Sequence, residues 1–190
     1  VPCLKARGME IKMKNNRKIN RIELKKYELR DLNPMKGLLT NDKIKQTYMI
    51  PDFESEQALD NFFAKLMEWS HSQQHYERGI YYQKQLIGFV NDVEIEGKSL
   101  ELGYVIHPNY HNQGFATEAL KLAIQELFLL GFEEVRAGAF EDNTASFQVM
   151  RKCGMVQIDQ EDEIQYRGKQ YRCLYYGITK TLTSTCLDVN

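Results

Sequence analysis

Residues 111–120 read His111-Asn112-Gln113-Gly114-Phe115-Ala116-Thr117-Glu118-Ala119-Leu120, a turn of small and polar residues that leads into an apolar run. Before this turn, residues 100–106 alternate in the period-two pattern of a strand with one buried face. After it, apolar residues recur every three or four positions as far as Phe128, and Gly131 stands where a helix would end. The stretch therefore predicts a strand, a glycine turn and an amphipathic helix.

The same turn predicts a place where an anion binds. The first N–H groups of a helix have no partner within the helix and lie at the positive end of its dipole, so the amides of residues 113–117 can bind a phosphate. Gly114 would let a ligand approach the backbone closely, although a glycine that only relaxes the turn explains the same residue. No Gly-Lys-Ser/Thr follows and no Gly-x-Gly-x-x-Gly is present, which excludes a P-loop and a Rossmann fingerprint.

Two segments together resemble the cofactor motifs of the GNAT acetyltransferase superfamily. The turn is similar to the family signature Gln/Arg-x-x-Gly-x-Gly/Ala, with Gly114 and Ala116 in the fourth and sixth places, but His111 replaces the first residue. Residues 143–155 are similar to the second motif, an Asn followed by Ala/Ser and then Lys-x-Gly-Phe. The residues in register with that motif are Asn143, Ser146, Lys152 and Gly154.

The resemblance extends over roughly residues 20 to 180 and implies the α+β GNAT fold, a single domain whose mixed central sheet has flanking helices. The Asn-x-x-Ser form resembles the branch of ribosomal-protein N-terminal (RimJ/RimL-like) acetyltransferases. We expect a basic, flexible N-terminal arm at residues 1–19, an acetyltransferase domain at 20–182 and a C-terminal tail at 183–190.

Further patterns along the chain place other elements around the sheet. Residues 54–71 have one apolar helical face. Residues 80–90 and 100–106 suggest antiparallel neighbours, with a hairpin turn at 96–98, and a second hairpin turn lies at 165–171. Strands and helices mix around one sheet, which favours an α+β layout over a doubly wound one.

The composition of the chain limits the classes of function that it can have. A chain of 190 residues, 43% of them hydrophobic, has room for one full core, and no apolar run reaches the ~20 residues that cross a bilayer. Residues 1–30 carry ten Lys/Arg against three Asp/Glu, a charge of +7, which leaves −8 for the rest. An acidic body suits a cationic amine better than nucleic acid, although a solvated surface explains the same count.

From these features we expect a cytoplasmic protein, a monomer or homodimer, that binds neither membranes nor nucleic acid. The four cysteines lack Cys-x-x-Cys spacing, which predicts reduced thiols and no metal site. A nucleic-acid binder that uses the basic arm is a distant alternative.

The resemblance implies direct transfer of an acetyl group from acetyl-coenzyme A, the co-substrate, to a primary amine of a peptide N-terminus or a small molecule. Backbone N–H groups of Val105 and Ile106 would polarise the thioester carbonyl. Glu101 is the candidate general base, and the alternative is that it is a solvent-facing strand glutamate without a catalytic role. His107, His111 or a water chain could replace it as the base.

Ser146 is the candidate general acid for the leaving thiolate. Many family members carry a tyrosine for this step at the place that Met150 occupies, and a thioether cannot donate a proton. A polar residue in the first turn of a helix explains Ser146 about as well. Asn143 is expected to cap that short helix and could also bond the pantetheine arm, and Phe147 packs against core or cofactor.

The full set of residues that the resemblance places at the coenzyme is Val105, Ile106, His111, Asn112, Gln113, Gly114, Phe115, Ala116, Thr117, Asn143, Ser146 and Phe147. The alternative function is a non-catalytic acyl-coenzyme A binding or sensing module, which would need neither Glu101 nor Ser146.

Overall fold

A computed structural model of the chain describes residues 20–180, so the predicted arm at 1–19 and tail at 183–190 lie outside the described residues. The strands are β1 (Ile22–Lys25), β2 (Glu77–Tyr82), β3 (Gln85–Glu96), β4 (Ser99–Ile106), β5 (Glu134–Phe140), β6 (Val156–Tyr166) and β7 (Lys169–Thr179). The helices are α1 (Leu32–Leu39), α2 (Asp42–Lys45), α3 (Glu56–His71), α4 (Phe115–Leu129) and α5 (Thr144–Lys152). Short 3-10 turns lie at Leu29–Asp31 and Pro108–Tyr110.

The strands form one seven-stranded sheet in the order β1-β2-β3-β4-β5-β7-β6. The pair β4 and β5 is parallel and every other pair is antiparallel. The parallel pairing runs only from Ser99 opposite Glu134 to Glu101 opposite Arg136, whereas β4 stays paired with β3 as far as Ile106. The sheet therefore opens between β4 and β5 beyond Glu101. The expected mixed sheet with flanking helices is confirmed.

Helices cover both faces of this sheet because successive residues of a strand point to opposite faces. Leu100 and Leu102 of β4 pack with α4 residues in one core cluster. Val105 of the same strand packs with Phe89 of β3 against α1 and α3 in another. Alternate residues of β4 thus serve two different cores, and the opening between β4 and β5 lies between them.

The predicted helix at 54–71 is confirmed as α3, Glu56–His71. The Ser55 hydroxyl caps it by accepting a hydrogen bond from the Ala58 N–H at 3.1 Å, which satisfies one of the free donors at the helix start. Leu59, Phe63 and Leu66 are buried at spacings of three and four. Burial of each such side chain stabilises the fold by about 1.5–3 kcal/mol.

The predicted antiparallel pairing of residues 80–90 with 100–106 is confirmed for β3, which begins at residue 85 and pairs with β4, but residues 80–82 belong to a separate strand, β2. The chain reverses at Gln83 and Lys84, with φ angles of 48° and 67°, and so forms a hairpin between β2 and β3. Two successive positive φ angles are usual for Asn-Gly or Asp-Gly, so Gln-Lys carries no turn signal in the sequence. The turns predicted at 96–98 and 165–171 are confirmed, since they join β3 to β4 and β6 to β7. Among residues 20–180, no helix is both long and apolar enough to cross a membrane.

Candidate active site

A cleft of about 350 Å³ opens where β4 and β5 part. Its walls are the end of β4, the turn that begins α4, the start of α5 and, across the opening, residues of α2. The predicted coenzyme residues that line it are Val105, Ile106, His111, Asn112, Gly114, Phe115, Ala116, Thr117, Asn143 and Ser146. Gln113 and Phe147 are not among its lining residues. The cleft thus brings together two motifs that are about 30 residues apart in the sequence.

The glycine turn has the geometry that phosphate groups require. Gly114 adopts φ +83° as the cap of α4, and a Cβ there would meet only the Arg21 Nη2 atom, at 3.4 Å. The N–H groups of residues 115–117 lie in the first turn of a helix of 15 residues and point out of its end. Lys43 and Lys152 add positive charge to the cleft wall. These residues fit the phosphates of coenzyme A.

Arg21 of the chain preceding β1 holds the glycine turn in place. Its Nη2 donates to the Gln113 carbonyl at 3.0 Å, and its Nε pairs with Glu118 at 3.0 Å. Its guanidinium also lies 4.5 Å from the centre of the Phe115 ring. Sequence analysis missed Arg21 because this contact joins residues more than 90 positions apart.

The open edge of β4 presents backbone donors to the cleft. The His107 N–H donates to the Ile87 carbonyl of β3 at 2.7 Å, so the alternation of a strand turns the N–H groups of Tyr104 and Ile106 toward the open side. The same alternation places the Val105 N–H on the β3 side. His111 contacts the open side as well, because its Nε2 lies 2.7 Å from the Ile106 carbonyl and must donate to it.

Ser146 lies against Tyr104 at the base of the cleft. The two hydroxyl oxygens are 2.6 Å apart, and the Tyr104 hydroxyl also donates to the Ser146 carbonyl at 3.2 Å. Burial raises the pKa of Tyr104 above its ordinary value, and the bond with Ser146 opposes part of that shift. Sequence analysis missed Tyr104, although the alternation of β4 puts it on the same face as Leu100 and Leu102, the face that α5 covers.

Other residues of α5 have structural roles. The Asn143 side chain accepts a hydrogen bond from the Ser146 N–H at 3.2 Å, which confirms the predicted helix cap. Phe147 is buried and stacks on Tyr176 with 5.4 Å between ring centres, so the structure shows it in the core, and its contact with the coenzyme stays a prediction. Met150, at the place of the family's tyrosine, is fully buried in the same core.

Glu101 lies on the opposite face of β4 from Tyr104. The residue is only 9% exposed, and within residues 20–180 its carboxylate makes no hydrogen bond or ion pair with another side chain. Burial raises the pKa of Glu101 to about 7, Arg136 opposes the shift, and Glu94 and Asp162 add to it. Tyr48, which lines the cleft, is close enough for the charge of Glu101 to contribute to its raised pKa. Glu101 is not among the cleft-lining residues, although its pKa lies in the range that suits a general base.

The two histidines differ in position. Burial and the nearby His111 lower the pKa of His107, which favours the neutral imidazole. His107 accepts a hydrogen bond from the Asn109 N–H at 3.2 Å and is not among the cleft-lining residues, whereas His111 is. Of the alternatives to Glu101, only His111 borders the cleft.

Comparison with known protein families agrees with the fold and with the cleft. The model of the acetyltransferase (GNAT) domain matches residues 21–156. The chain therefore belongs to the GNAT acetyltransferase family. It is an acetyl-coenzyme A dependent acetyltransferase, and the predicted family and fold are confirmed.

The individual proteins that resemble this chain share only a modest part of its sequence. The uncharacterized N-acetyltransferase YoaA of Bacillus subtilis (strain 168) is 28% identical over 174 residues, which cover 85% of this chain and 94% of YoaA. Two solved structures share the fold. RimL, a ribosomal alpha-N-protein acetyltransferase in complex with coenzyme A, has a TM-score of 0.75 at 17% identity and covers 84% of this chain and 94% of its own. The spermidine N-acetyltransferase of Vibrio cholerae, in complex with coenzyme A and spermine, has a TM-score of 0.73 at 22% identity over 84% of this chain and 95% of its own.

Proteins with quite different acceptors therefore share this fold. A ribosomal-protein acetyltransferase and a polyamine acetyltransferase resemble the chain about equally. The resemblance to the RimJ/RimL-like branch stays a prediction, and the shared fold does not determine the acceptor.

Proposed function

We propose that this protein transfers the acetyl group of acetyl-coenzyme A directly to a primary amine. The observation that carries the proposal is the pair of proton-handling groups on the two faces of β4. Glu101, a carboxyl with a pKa of about 7, lies on one face, and the Tyr104 and Ser146 hydroxyl pair lies on the other. Tyr104 and Ser146 line the cleft, and Glu101 is the last residue of β4 that pairs with β5 before the cleft opens.

The amine must lose a proton before it can react. Glu101, acting directly or through water, takes a proton from the ammonium group, since a carboxylate with this pKa is partly ionised at pH 7. The amine nitrogen then attacks the thioester carbonyl carbon. The open N–H groups of β4, with Ile106 the clearest donor by its alternation, lie where they can stabilise the negative charge that develops on the carbonyl oxygen.

The C–N bond forms as the C–S bond breaks, and the leaving thiolate needs a proton. A free thiol has a pKa of ~8.5, so a donor at the sulfur favours its departure. Ser146 donates this proton to the sulfur. The Tyr104 hydroxyl, 2.6 Å from the Ser146 hydroxyl, can then return a proton to the serine. The phenol of Tyr104 thus supplies the proton that a tyrosine at position 150 would otherwise give.

Thiol release from acetyl-coenzyme A tests the proposal. The full chain is incubated with acetyl-coenzyme A and a panel of peptide and small-molecule amines, and the acetylated product is identified by mass. We expect release only with an amine present, and a loss of rate in Ser146→Ala and Glu101→Gln. Coenzyme A binding without release on any amine would contradict the proposal and favour an acyl-coenzyme A sensing module.

A further inference from the structure

A second cavity of about 140 Å³ lies beside the cleft, on the face of the sheet that α1 and α3 cover. Its walls are mainly apolar and include Leu39, Met49, Phe62, Leu66, Trp69 and Phe89. A cavity on the order of 150 Å³ with aliphatic and aromatic walls holds a benzene molecule. The space thus has the size of one phenyl group or one branched aliphatic side chain.

Glu77 and Asn91, two polar side chains of this cavity, are already hydrogen-bonded within the protein. The Glu77 carboxyl accepts a hydrogen bond from the Tyr27 hydroxyl. The Asn91 Oδ1 accepts from the Tyr48 hydroxyl at 2.7 Å, and its Nδ2 donates to the Asp92 carbonyl at 3.0 Å. Burial raises the pKa of Glu77 to about 8, so the carboxyl is mostly neutral at pH 7. A second ammonium group would therefore find little fixed charge in this cavity.

The cavity is next to the cleft. Tyr48 lines both the cavity and the cleft, and its hydroxyl lies so close to Gly103 that a Cβ there would be 2.2 Å away. Asn91 and Phe89 of the cavity pair in register with Gly103 and Val105 of β4. Neighbouring strands are about 4.8 Å apart, so a group in the cavity lies about one to two strand spacings from the open edge of β4.

We propose that this cavity receives the non-reacting group of the acceptor, and that the acceptor is an amine that carries an aromatic or branched aliphatic group two or three bonds from its nitrogen. The inference rests on the proposed function, since it assumes that the amine reacts in the cleft. Size, apolar walls and engaged polar atoms all favour an uncharged occupant. A polyamine with a second charge at the same distance is disfavoured.

The test compares the kcat/KM of the full chain for 2-phenylethylamine, ethylamine and 1,4-diaminobutane. We expect the kcat/KM for 2-phenylethylamine to be at least ~10-fold higher than that for either other amine. One buried methylene already changes specificity by about 10-fold or more, and the phenyl group buries several apolar carbons. Met49→Trp fills the mouth of the cavity from a position that is 47% exposed, so that the fold tolerates it. This variant should reduce the ratio of 2-phenylethylamine to ethylamine toward one.

Leu129→Trp is the matched control, because Leu129 is 87% exposed at the end of α4 and does not line the cavity. It should keep the wild-type ratio. A preference for the diamine, or a Met49→Trp variant with the wild-type ratio, would overturn the inference.

Direct binding separates this inference from the proposed function. Calorimetry measures binding of 2-phenylethylamine to the protein in the presence of coenzyme A, without any turnover. Binding that Met49→Trp weakens at least ~10-fold supports the cavity even if no amine is acetylated. If the protein acetylates amines but neither binds nor prefers 2-phenylethylamine, the cavity assignment fails while the proposed function stands.

Discussion

Two hydroxyl groups lie in contact in the cleft and are proposed to share the task of general acid, although only one of them belongs to a recognisable motif. Ser146 lies in the Asn-x-x-Ser segment, whereas Tyr104 comes from β4 and reaches the serine at 2.6 Å. A general acid contributes typically 10²–10⁴-fold to a rate. If either hydroxyl can supply the proton, removal of one of them should lower the rate by less than the removal of a sole general acid would.

Removal of these hydroxyls should lower kcat with little change in coenzyme A binding. We expect Ser146→Ala to lower kcat by about 10²-fold and Tyr104→Phe by about 10-fold, because the serine can still donate in the second variant. Steady-state kinetics and calorimetric titration with coenzyme A measure the two effects. Ser146→Thr, which keeps the hydroxyl, should retain most of the rate, and a Ser146→Ala rate within twofold of wild type would exclude the serine as acid.

Glu101 should give the reaction its dependence on pH. The carboxylate is the active form of a base, so kcat/KM for one fixed amine should rise as pH increases through about 7, and Glu101→Gln should remove this inflection and lower the rate about 10²-fold. Glu94 raises the pKa of Glu101, so Glu94→Gln should move the inflection to lower pH. An unchanged inflection in Glu101→Gln would assign it to another group, with His111 the first alternative.

At the scale of elements, the start of α4 should determine affinity for the coenzyme. Gly114 lines the cleft and has a positive φ that strains any residue with a Cβ, and a Cβ there would lie 3.4 Å from the Arg21 Nη2 atom that holds the turn. We expect Gly114→Val to raise the KM for acetyl-coenzyme A at least ~10-fold with a smaller effect on the KM for the amine, since a β-branched side chain strains and crowds the phosphate turn.

Gly97 supplies the matched control for that variant. It also has a positive φ, +58°, with nothing within 4 Å of its Cβ position, and it lies in the turn between β3 and β4. Gly97→Val carries similar backbone strain away from the cleft, so it should lower the melting temperature without changing the KM for acetyl-coenzyme A. Equal effects of the two variants on that KM would show that strain alone explains Gly114.

The elements that the sequence predicted well are those with long periodic patterns. Helix α3 and the helix after the glycine turn follow their apolar spacing closely, and Asn143 caps α5 as expected. The hairpin at Gln83 and Lys84 was missed because its turn residues are not those that usually adopt positive φ. The contacts of Arg21, Tyr104 and Glu77 could not be predicted, since each depends on packing between residues distant in the chain.

The whole molecule divides its work between the two faces of the sheet. The coenzyme motifs lie with α4 and α5 on one face, while Tyr48 and the second cavity lie with α1 and α3 on the other. The sheet opens between them where β4 parts from β5 beyond Glu101. A fold of this kind can keep its coenzyme site while the other face changes its acceptor, which agrees with the different acceptors of proteins that share the fold.

Stability of the whole molecule should depend on pH through Glu77. Its pKa is about 8 in the folded protein against an ordinary value of 4.5, so the folded chain keeps a proton that the unfolded chain releases. The stabilising contribution is fully present below pH 4.5 and is lost as pH rises to about 8. Urea unfolding at several pH values should therefore show a decline over this range that is shallower in Glu77→Gln, which stays neutral and can still accept the Tyr27 hydrogen bond. Glu56→Gln, at an exposed carboxyl, is the control, and a Glu77→Gln variant with the full wild-type decline would mean that other groups cause it.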